Sequence, residues 1–359
     1  MLKYTLRRFV AAIPVLFGVL VVIFILARVV PGDPCTAMLG EKATPEICER
    51  FLHEKGLDKP IYIQFMVYVG DIFSGDFGTS IRFNRPIVDI LIERLPLSIE
   101  LGFIALVIAS TLGITAGIIS AIRHNSYVDV STMVLANVGV SMPVFWLGLM
   151  LAYIFALVLK GTPFQLPPSG RLSPGMKCIP FYEVYDWNLV PDTFAYGVSE
   201  FVSNMFIFNS FITGDWIVFL DAIQHMILPA VALSTIPMAI IARMTRSSML
   251  QVLSLDYVRT AKAKGLREIR VIVLHALQNA LLPIVTIIGL QLGTLFSGAI
   301  LTETIFGLSG VGKSLFEAIT ARDFPIIQGF TLVVAVGYVA SNLIVDLSYA
   351  FFDPRISLE

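Results

Sequence analysis

Residues 101–122 read LGFIALVIASTLGITAGIISAI, a stretch without a single Asp, Glu, Lys or Arg. A helix that crosses the hydrocarbon core of a bilayer needs about 20 consecutive, mostly apolar residues. The stretch therefore predicts a transmembrane helix, and we interpret the rest of the chain around a membrane.

The composition of the whole chain leads to the same class of protein. Of its 359 residues, 56% are hydrophobic and 14% are charged, and the mean hydropathy is +0.82. A soluble domain carries about 25% charged residues. The composition excludes soluble, disordered and collagen-like chains, and it predicts an all-α integral membrane protein.

Six uncharged stretches divide the chain into membrane spans and loops; they are 9–27, 101–122, 130–159, 222–242, 271–302 and 324–345. We expect an N-terminal helix (1–30), an extracytoplasmic loop with interfacial helices after Pro60 and Pro86 (31–95), a transmembrane domain (96–350) and a cytoplasmic tail (351–359). Within the domain, the spans are expected at about 96–122, 130–159, 222–243, 281–302 and 326–350, with kinks at Pro143 and Pro237. A seventh apolar stretch, 201–214, is too short to cross and is interpreted as interfacial or as packed in a loop.

The distribution of charge predicts the orientation of these spans. Residues 243–270 carry seven Lys and Arg against two acidic residues, whereas residues 161–221 carry two basic residues against six acidic ones. Basic residues collect in short cytoplasmic loops. We therefore expect 244–280 to be a cytoplasmic loop, 160–221 to be an extracytoplasmic insertion, and both termini to be cytoplasmic. The Pro-rich insertion is interpreted as a compact cap or as a docking surface.

The three cysteines, Cys35, Cys48 and Cys178, fall outside the cytoplasm in this arrangement. They are interpreted as unpaired thiols, or as a Cys35–Cys48 disulfide with Cys178 left over. Their spacing does not suggest metal ligands. We expect no metal, no cofactor and no nucleic-acid partner.

Residues 307–314, GLSGVGKS, match the phosphate-loop pattern of nucleotide-binding proteins. That pattern binds phosphate only between a strand and a helix, where backbone amides converge. Here the turn follows a membrane span, and the expected topology places Lys313 outside the cell. We interpret the match as chance and expect no catalytic site in this chain.

The most informative segment lies in the basic cytoplasmic loop, where 256–266 read DYVRTAKAKGL and 275–283 read HALQNALLP. The periodicity predicts a short helix over 254–264 that ends with Gly265 at the C′ position. Tyr257, Ala261 and Gly265 recur every four residues and would form a narrow face open to another protein. An alternative is a basic loop that binds lipid head groups.

This segment resembles the cytoplasmic EAA loop of permease subunits of binding-protein-dependent ATP-binding-cassette importers, and more narrowly the first-permease, "B"-type subunit of the dipeptide/oligopeptide family. Further similarity lies at residues 75–80 (GDFGTS), 93–101 (ERLPLSIEL), 303–307 (ETIFG) and 321–325 (ARDFP). The resemblance covers nearly the whole chain except 160–215. Arg259, Thr260 and Ala261 replace the general Glu-Ala-Ala opening, and Ser309 replaces a usual Pro.

The resemblance implies a type I importer permease fold with six spans, and a coupling helix that contacts a cytoplasmic ATPase. The residues carried over to ATPase coupling are Asp256, Tyr257, Arg259, Thr260, Ala261, Lys262, Lys264 and Gly265, supported by His275, Asn279 and Pro283. The implied partners are a second homologous permease, two ATPase subunits and an extracellular binding protein, in a bacterial or archaeal plasma membrane.

The implied substrate is a di- or oligopeptide, and closely similar permeases take up nickel, glutathione or oligosaccharides. A self-contained carrier or channel is the alternative from another class, and a membrane-embedded ATPase is a third. ATP hydrolysis is assigned to the partner subunits, not to this chain.

Two sets of residues within the spans are candidates for packing and for the substrate path. Gly289, Gly293 and Ser297 recur every four residues, which allows close helix contact within the chain or with the second permease. Four uncharged polar residues are candidates for the path, or for ordinary interhelical hydrogen bonds: Asn137, Ser141, Gln291 and Thr294.

Overall fold

The computed structural model describes residues 2–29, 44–54, 58–191 and 193–352. In these ranges the regular structure is helical, and extended pairing is limited to a single bridge between Thr79 and Pro86. The all-α prediction is therefore confirmed for the described part of the chain.

The helices follow one another in this order: α1 Leu2–Val29, α2 Pro45–Glu54, α3 Ile61–Phe73, α4 Ile87–Ile122, α5 Tyr127–Ser141, α6 Val144–Ala152, α7 Phe181–Val184, α8 Phe194–Ser203, α9 Phe206–Thr213, α10 Trp216–Leu253, α11 Asp256–Ala263, α12 Glu268–Arg270, α13 Gln278–Ile305, α14 Val311–Ala321 and α15 Phe324–Phe352. A wider, π-helical turn extends α6 over Tyr153–Val158, and another joins α12 to α13 over Val271–Leu277.

Five segments are long and apolar enough to span a membrane: Leu6–Leu26, Ile87–Ile122, Trp216–Leu253, Glu268–Leu295 and Phe324–Val345. The sixth expected span is broken, because α5 and α6 meet at an angle of 100°. Pro143 stands at this break and caps α6. Proline has no N–H for the helix ladder, so the helix is interrupted there. The kink expected at Pro143 is therefore a break between two helices.

The first helix of the expected transmembrane domain begins earlier than the sequence suggests. α4 starts at Ile87, directly after Pro86, and continues through Pro96 to Ile122. The separate interfacial helix expected after Pro86 is therefore the first part of α4. The expectation was wrong because it took charged residues as the boundary of the span. Asp89 and Glu93 are instead part of the same helix, in its first turns before the apolar stretch.

α4 and α10 share the most extensive helix contact in the described structure, and glycines allow them to approach closely. A Cβ on Gly117 would lie 2.5 Å from the Thr245 Cβ, and one on Gly113 would lie 2.7 Å from the Met238 carbonyl oxygen. The contacts advance together along both helices, so α4 and α10 run in the same direction. Because the two helices are parallel, their N-terminal ends lie at one end of the bundle and their C-terminal ends lie at the other.

We name these ends by their short helices. The α14 end holds Ser98 of α4 together with Glu303 at the end of α13. The α11 end holds Ser120 of α4 together with Asp129 of α5. Along α4 the two serines are about 33 Å apart at 1.5 Å per residue, which is close to the thickness of a hydrocarbon core.

Candidate functional site

α11 has the form that the sequence predicts. It runs from Asp256 to Ala263, and Gly265 follows it with φ +76°. The Gly265 N–H donates to the Lys262 carbonyl at 2.9 Å, and the Leu266 N–H donates to the Ala261 carbonyl at 3.4 Å. These two bonds form a Schellman C-cap, which favours glycine at the left-handed position. The predicted C′ role of Gly265 is confirmed.

The inner face of α11 differs from the expectation. Ala261 is only 7% exposed and packs with Val258, Met249 and Val271 in the core of the chain. Ala261 therefore does not belong to a face open to a partner, and that part of the expectation was wrong. Val258 and Ala261 lie three residues apart, so they share one side of the helix, and burial of apolar surface turns this side inward.

The outer face of α11 is polar, basic and open. Its exposed residues are Asp256, Arg259, Thr260, Lys262 and Lys264, and Arg267 continues the set beyond the turn. Arg259 and Asp256 lie 3.5 Å apart with side chains 74% and 96% exposed. A pair so exposed contributes little to stability, so these charges remain accessible to another molecule.

Of the residues expected to support α11, His275 is bonded to it, and Asn279 and Pro283 lie further along the following helix. The Tyr257 hydroxyl donates to the His275 carbonyl at 3.3 Å, and the Asn279 amide donates to the same oxygen at 2.8 Å. Pro283 lies within α13, where it leaves the Asn279 carbonyl without its usual helical donor. The Tyr257 bond thereby attaches α11 to the π-helical turn that precedes α13.

An ion pair that the sequence analysis missed lies at the same end. The Arg246 guanidinium donates from Nε and Nη2 to the two carboxylate oxygens of Asp129, at 2.7 Å each. The Ser120 hydroxyl and the Asn125 N–H, at 3.0 Å, donate to the same carboxylate. This buried cluster joins α4, α5 and α10 one helix before α11. The local signal was the Ser126 N-cap of α5, which places Asp129 in its first turn.

The phosphate-loop-like turn holds a carboxylate of the chain itself. The Glu303 side chain is fully buried, accepts from the Ser98 hydroxyl at 2.6 Å and accepts from the Lys313 N–H at 2.9 Å. A Cβ on Gly310 would lie 2.5 Å from the Glu303 carboxyl carbon. The Val311 and Lys313 N–H groups and the Ser314 hydroxyl, which would bind a phosphate, are thus already bound inside the fold. This is the physical reason to interpret the pattern as a structural turn.

A second carboxylate at the α14 end joins two of the motif stretches. Asp323 is fully buried, and its Oδ2 accepts from the Ser80 hydroxyl at 2.6 Å and from the Arg82 N–H at 3.0 Å. Residues 75–80 and 321–325 therefore meet in space although the partners are 243 residues apart in sequence. Their role in the structure is to close the α14 end.

The insertion between α6 and α10 folds into a cap on the α14 end. The Ile207 N–H donates to Glu100 Oε1 at 2.8 Å, and Arg171 Nη2 lies 3.5 Å from Glu100 Oε2. Burial lowers the pKa of Arg171 to about 10, against the opposing effect of Glu100. Ser173 donates from its N–H and its hydroxyl to Asp221 at 2.7 and 2.6 Å. These bonds attach the cap to α4 and α10.

The states of Cys48 and Cys178 agree with the alternative that includes a disulfide and leaves Cys178 over. Cys48 is disulfide-bonded, and Cys178 is free and accepts from the Asn209 amide at 3.0 Å. Cys35 lies outside the described residues. Within the described ranges, no group of three His, Cys, Asp or Glu residues could hold a metal ion.

The polar residues proposed for the substrate path occur as two local pairs. The Ser141 hydroxyl donates to the Asn137 carbonyl at 2.9 Å, and the Thr294 hydroxyl donates to Gln291 at 2.8 Å on the carbonyl and 3.0 Å on Oε1. The first pair ends α5 at the break, and the second lies in α13. Their assignment to a path stays a prediction.

The small residues of α13 pack within the chain. A Cβ on Gly289 would overlap the Val345 side chain, and one on Gly293 would lie 2.6 Å from the Tyr338 ring. Of the two alternatives, the intra-chain contact is therefore the one that the described structure contains, and it is made with α15. The side chain of Ser297 lies outside the described residues.

Comparison with known proteins gives matches over nearly the whole chain. Residues 113–358 match the family described as "Binding-protein-dependent transport system inner membrane component", and residues 1–102 match "Binding-prot-dependent transport system membrane comp, N-term". The chain is 44% identical to the dipeptide transport system permease protein DppB of Alkalihalophilus pseudofirmus, with 99% of each chain covered. It is 42% identical to a di/tripeptide permease DppB of Pseudomonas aeruginosa and to the dipeptide permease DppB of Escherichia coli K12, again with 99% of each chain covered.

Proposed function

The chain belongs to the family of binding-protein-dependent transport system inner membrane components. From this premise we propose that α11 contacts a partner ATPase subunit and transmits its ATP-driven conformational change to the spans. The chain is a permease subunit of a peptide ABC importer with the type I permease fold. The work of this chain is to move a peptide across the membrane, and ATP is hydrolysed by the partner ATPases.

One observation carries the proposal for α11. The helix is fixed to the bundle by an apolar inner side, Val258 and Ala261, and presents a wholly exposed polar side with Arg259, Thr260 and Lys262. A loop that only binds head groups needs positive charge but no fixed shape. A helix anchored on one side and open on the other suits a groove with acidic residues at its rim.

The contacts around α11 supply a route for the motion. Val258 and Ala261 pack against α10 and the start of α13, and Tyr257 bonds to the His275 carbonyl. α10 is in turn held to α4 at Gly117 and to α5 by Arg246 and Asp129. Packed interfaces do not deform continuously. A displacement of α11 would therefore move α4, α5 and α10 together and change access to the path between the spans.

We extend this assignment to the partners and the orientation. Two cytoplasmic ATPases, a second homologous permease and an extracellular binding protein complete the importer, which sits in a bacterial or archaeal plasma membrane. The basic α11 end faces the cytoplasm, so both termini are cytoplasmic, and the cap over 160–221 faces the binding protein. Asn137, Ser141, Gln291 and Thr294 contribute uncharged polar groups to the path.

The proposed substrate is tested by uptake into proteoliposomes that contain the whole importer and its binding protein. We expect ATP-dependent uptake of a labelled dipeptide, with competition by unlabelled di- and tripeptides. Competition by nickel, glutathione or an oligosaccharide, with none by peptides, would overturn the peptide assignment. Uptake by vesicles that hold this chain alone would favour a self-contained carrier or channel.

The coupling role is tested at the turn that ends α11. Gly265 has φ +76° with open space around its Cβ position, so Gly265→Val strains the turn without a clash inside the chain. Gly75 has φ +82° and equally open space at the α14 end, which makes Gly75→Val the matched control. We expect Gly265→Val to uncouple ATP hydrolysis from uptake while membrane insertion continues, and Gly75→Val to preserve coupling. Equal coupling ratios in the two variants would contradict the role of α11.

A further inference from the structure

The cap carries an exposed aromatic surface at the turn between α9 and α10. Phe211, Trp216 and Phe219 contact one another edge to face or tilted, with ring centroids 5.6–6.0 Å apart. Phe211, Trp216 and the neighbouring Ile217 are each more than half exposed. Soluble surfaces seldom place so much apolar area side by side, and such areas mark contact with another apolar phase.

The position of α9 along α4 indicates which phase that is. The Ile207 and Phe208 N–H groups donate to Glu100 Oε1 at 2.8 and 3.3 Å, so the first turn of α9 lies at the level of Glu100. Phe103 and Val107 follow Glu100 at helical spacing and therefore lie on the same side of α4. Phe103 is 62% exposed and lies inside the apolar span. α9 thus sits directly above an exposed apolar stripe of a membrane-spanning helix.

The chemistry of α9 agrees with this position. Its sequence, FIFNSFIT, contains no charged residue. Its polar groups are used internally, since Asn209 donates to the Ile179 carbonyl at 2.7 Å and the Ser210 hydroxyl donates to the Phe206 carbonyl. Asp215 accepts from the Val218 N–H at 3.1 Å as the N-cap of α10. What α9 presents outward is therefore Phe208, Phe211 and Ile212, which are exposed.

We propose that α9 and the first turn of α10 lie in the lipid leaflet at the α14 end, with the Trp216 ring at the boundary between acyl chains and head groups. Tryptophan is enriched at that boundary because its ring is apolar and its N–H is polar. An apolar helix face enters this region by about 5–10 Å. The partner is the bilayer itself, and the contact holds the cap at a fixed height over the spans.

Two tryptophans of the cap provide a matched test. Trp216 is 56% exposed, and Trp187 is 54% exposed but stands between Asp186 and Asn188 and packs on Phe181. Trp146→Phe with Trp187→Phe leaves Trp216 as the single fluorophore, and Trp146→Phe with Trp216→Phe leaves Trp187. Both chains are placed in phosphatidylcholine vesicles, with and without acyl chains brominated near the head group, and are measured alone and in the assembled importer with its binding protein.

We expect the brominated lipid to remove most of the Trp216 emission and little of the Trp187 emission, and iodide in the water phase to show the reverse order. The difference should persist after assembly with the second permease and the binding protein. Trp216 emission that is not quenched by brominated lipid in the chain alone would overturn the proposal. Emission that is quenched in the chain alone but not after assembly would also overturn it, and would assign the surface to a protein partner. No transport is measured, so the result does not depend on the proposed coupling role of α11.

Discussion

Residues 307–314 and residues 256–266 both combine glycine with lysine, at opposite ends of the bundle, but the first uses its helix-start N–H groups inside the fold, whereas the second presents an open row of charges. In the first, the Ser98 hydroxyl and the Lys313 N–H are bound to the buried Glu303 carboxylate. In the second, Arg259 and Lys262 project from an exposed helix face. A motif can act on another molecule only where its donors and charges are not already bound inside the fold.

This difference orders the expected effects of substitution on stability. A buried carboxylate whose donors have no other acceptor should matter most, and an exposed charge should matter least. The effect of substitution on transport should be largest at the exposed charges of α11, because exposed groups are the ones that a partner can contact.

The largest effect on stability is expected at Glu303. Glu303→Ala leaves the buried Ser98 hydroxyl and the partly buried Lys313 N–H without an acceptor. At about 1–3 kcal/mol for each donor, we expect a loss of about 4 kcal/mol in the free energy of unfolding. Glu303→Gln keeps an acceptor oxygen and should lose less. Denaturation of the purified chain in detergent measures both. An unchanged unfolding midpoint for Glu303→Ala would break the comparison.

A smaller loss of stability is expected at Asp129. We attribute the difference to how deeply each carboxylate and its donors are buried, and not to which end of the bundle they occupy. Asp129→Ala leaves Arg246 without its carboxylate, but the Arg246 side chain is 27% exposed and water can solvate it. We expect a loss of about 2–3 kcal/mol, below the 3–5 kcal/mol typical of a fully buried pair. The control is Arg246→Lys, which keeps the charge and loses the bidentate geometry. A loss greater than that of Glu303→Ala would reverse the order.

At α11 we expect little change in stability and a large change in assembly. The double variant Arg259→Glu and Lys262→Glu should alter the free energy of unfolding by no more than about 0.5 kcal/mol, as is usual for surface positions. Its ATPase subunits should no longer co-purify, because acidic residues then face an acidic rim. Lys177→Glu, in the cap, should leave the ATPases bound. Full retention of the ATPases by the double variant would remove the distinction between the two segments.

The smallest effect is expected at Lys313. Its N–H holds Glu303, and Lys313→Ala preserves that N–H, so stability and peptide uptake should both be unchanged. The chain purified without ATPases should show no ATP binding above background by filter assay, with or without the substitution. ATP binding that disappears in Lys313→Ala would restore the nucleotide interpretation of residues 307–314.

Local sequence was sufficient for most of the spans and for the C-terminal end of α11. Apolar runs predicted the spans, and the spacing before Gly265 predicted a C-cap that the structure contains. The same spacing misassigned Ala261, because a four-residue repeat places residues on one side of a helix without saying which side is buried. Val258, apolar and three residues earlier, marked the inner side.

The buried polar links could not be read from local patterns. Ser98 and Glu303 are 205 residues apart, and Asp129 and Arg246 are 117 apart. Each pair forms only after several helices have packed, and no periodicity in either segment encodes the partner. The break between α5 and α6 was visible at Pro143, but its angle depends on how α6 packs against the neighbouring helices.

A crosslinking experiment tests the central claim most directly. A photoreactive residue is placed at Thr260 of α11 or at Thr320 of α14, two exposed threonines whose hydroxyls bond to carbonyls one turn back, Asp256 at 3.0 Å and Phe316 at 2.9 Å. In the assembled importer, we predict that the residue at Thr260 crosslinks to an ATPase subunit and that the residue at Thr320 does not. Crosslinks from Thr260 to lipid alone, or an ATPase crosslink from Thr320, would contradict the account.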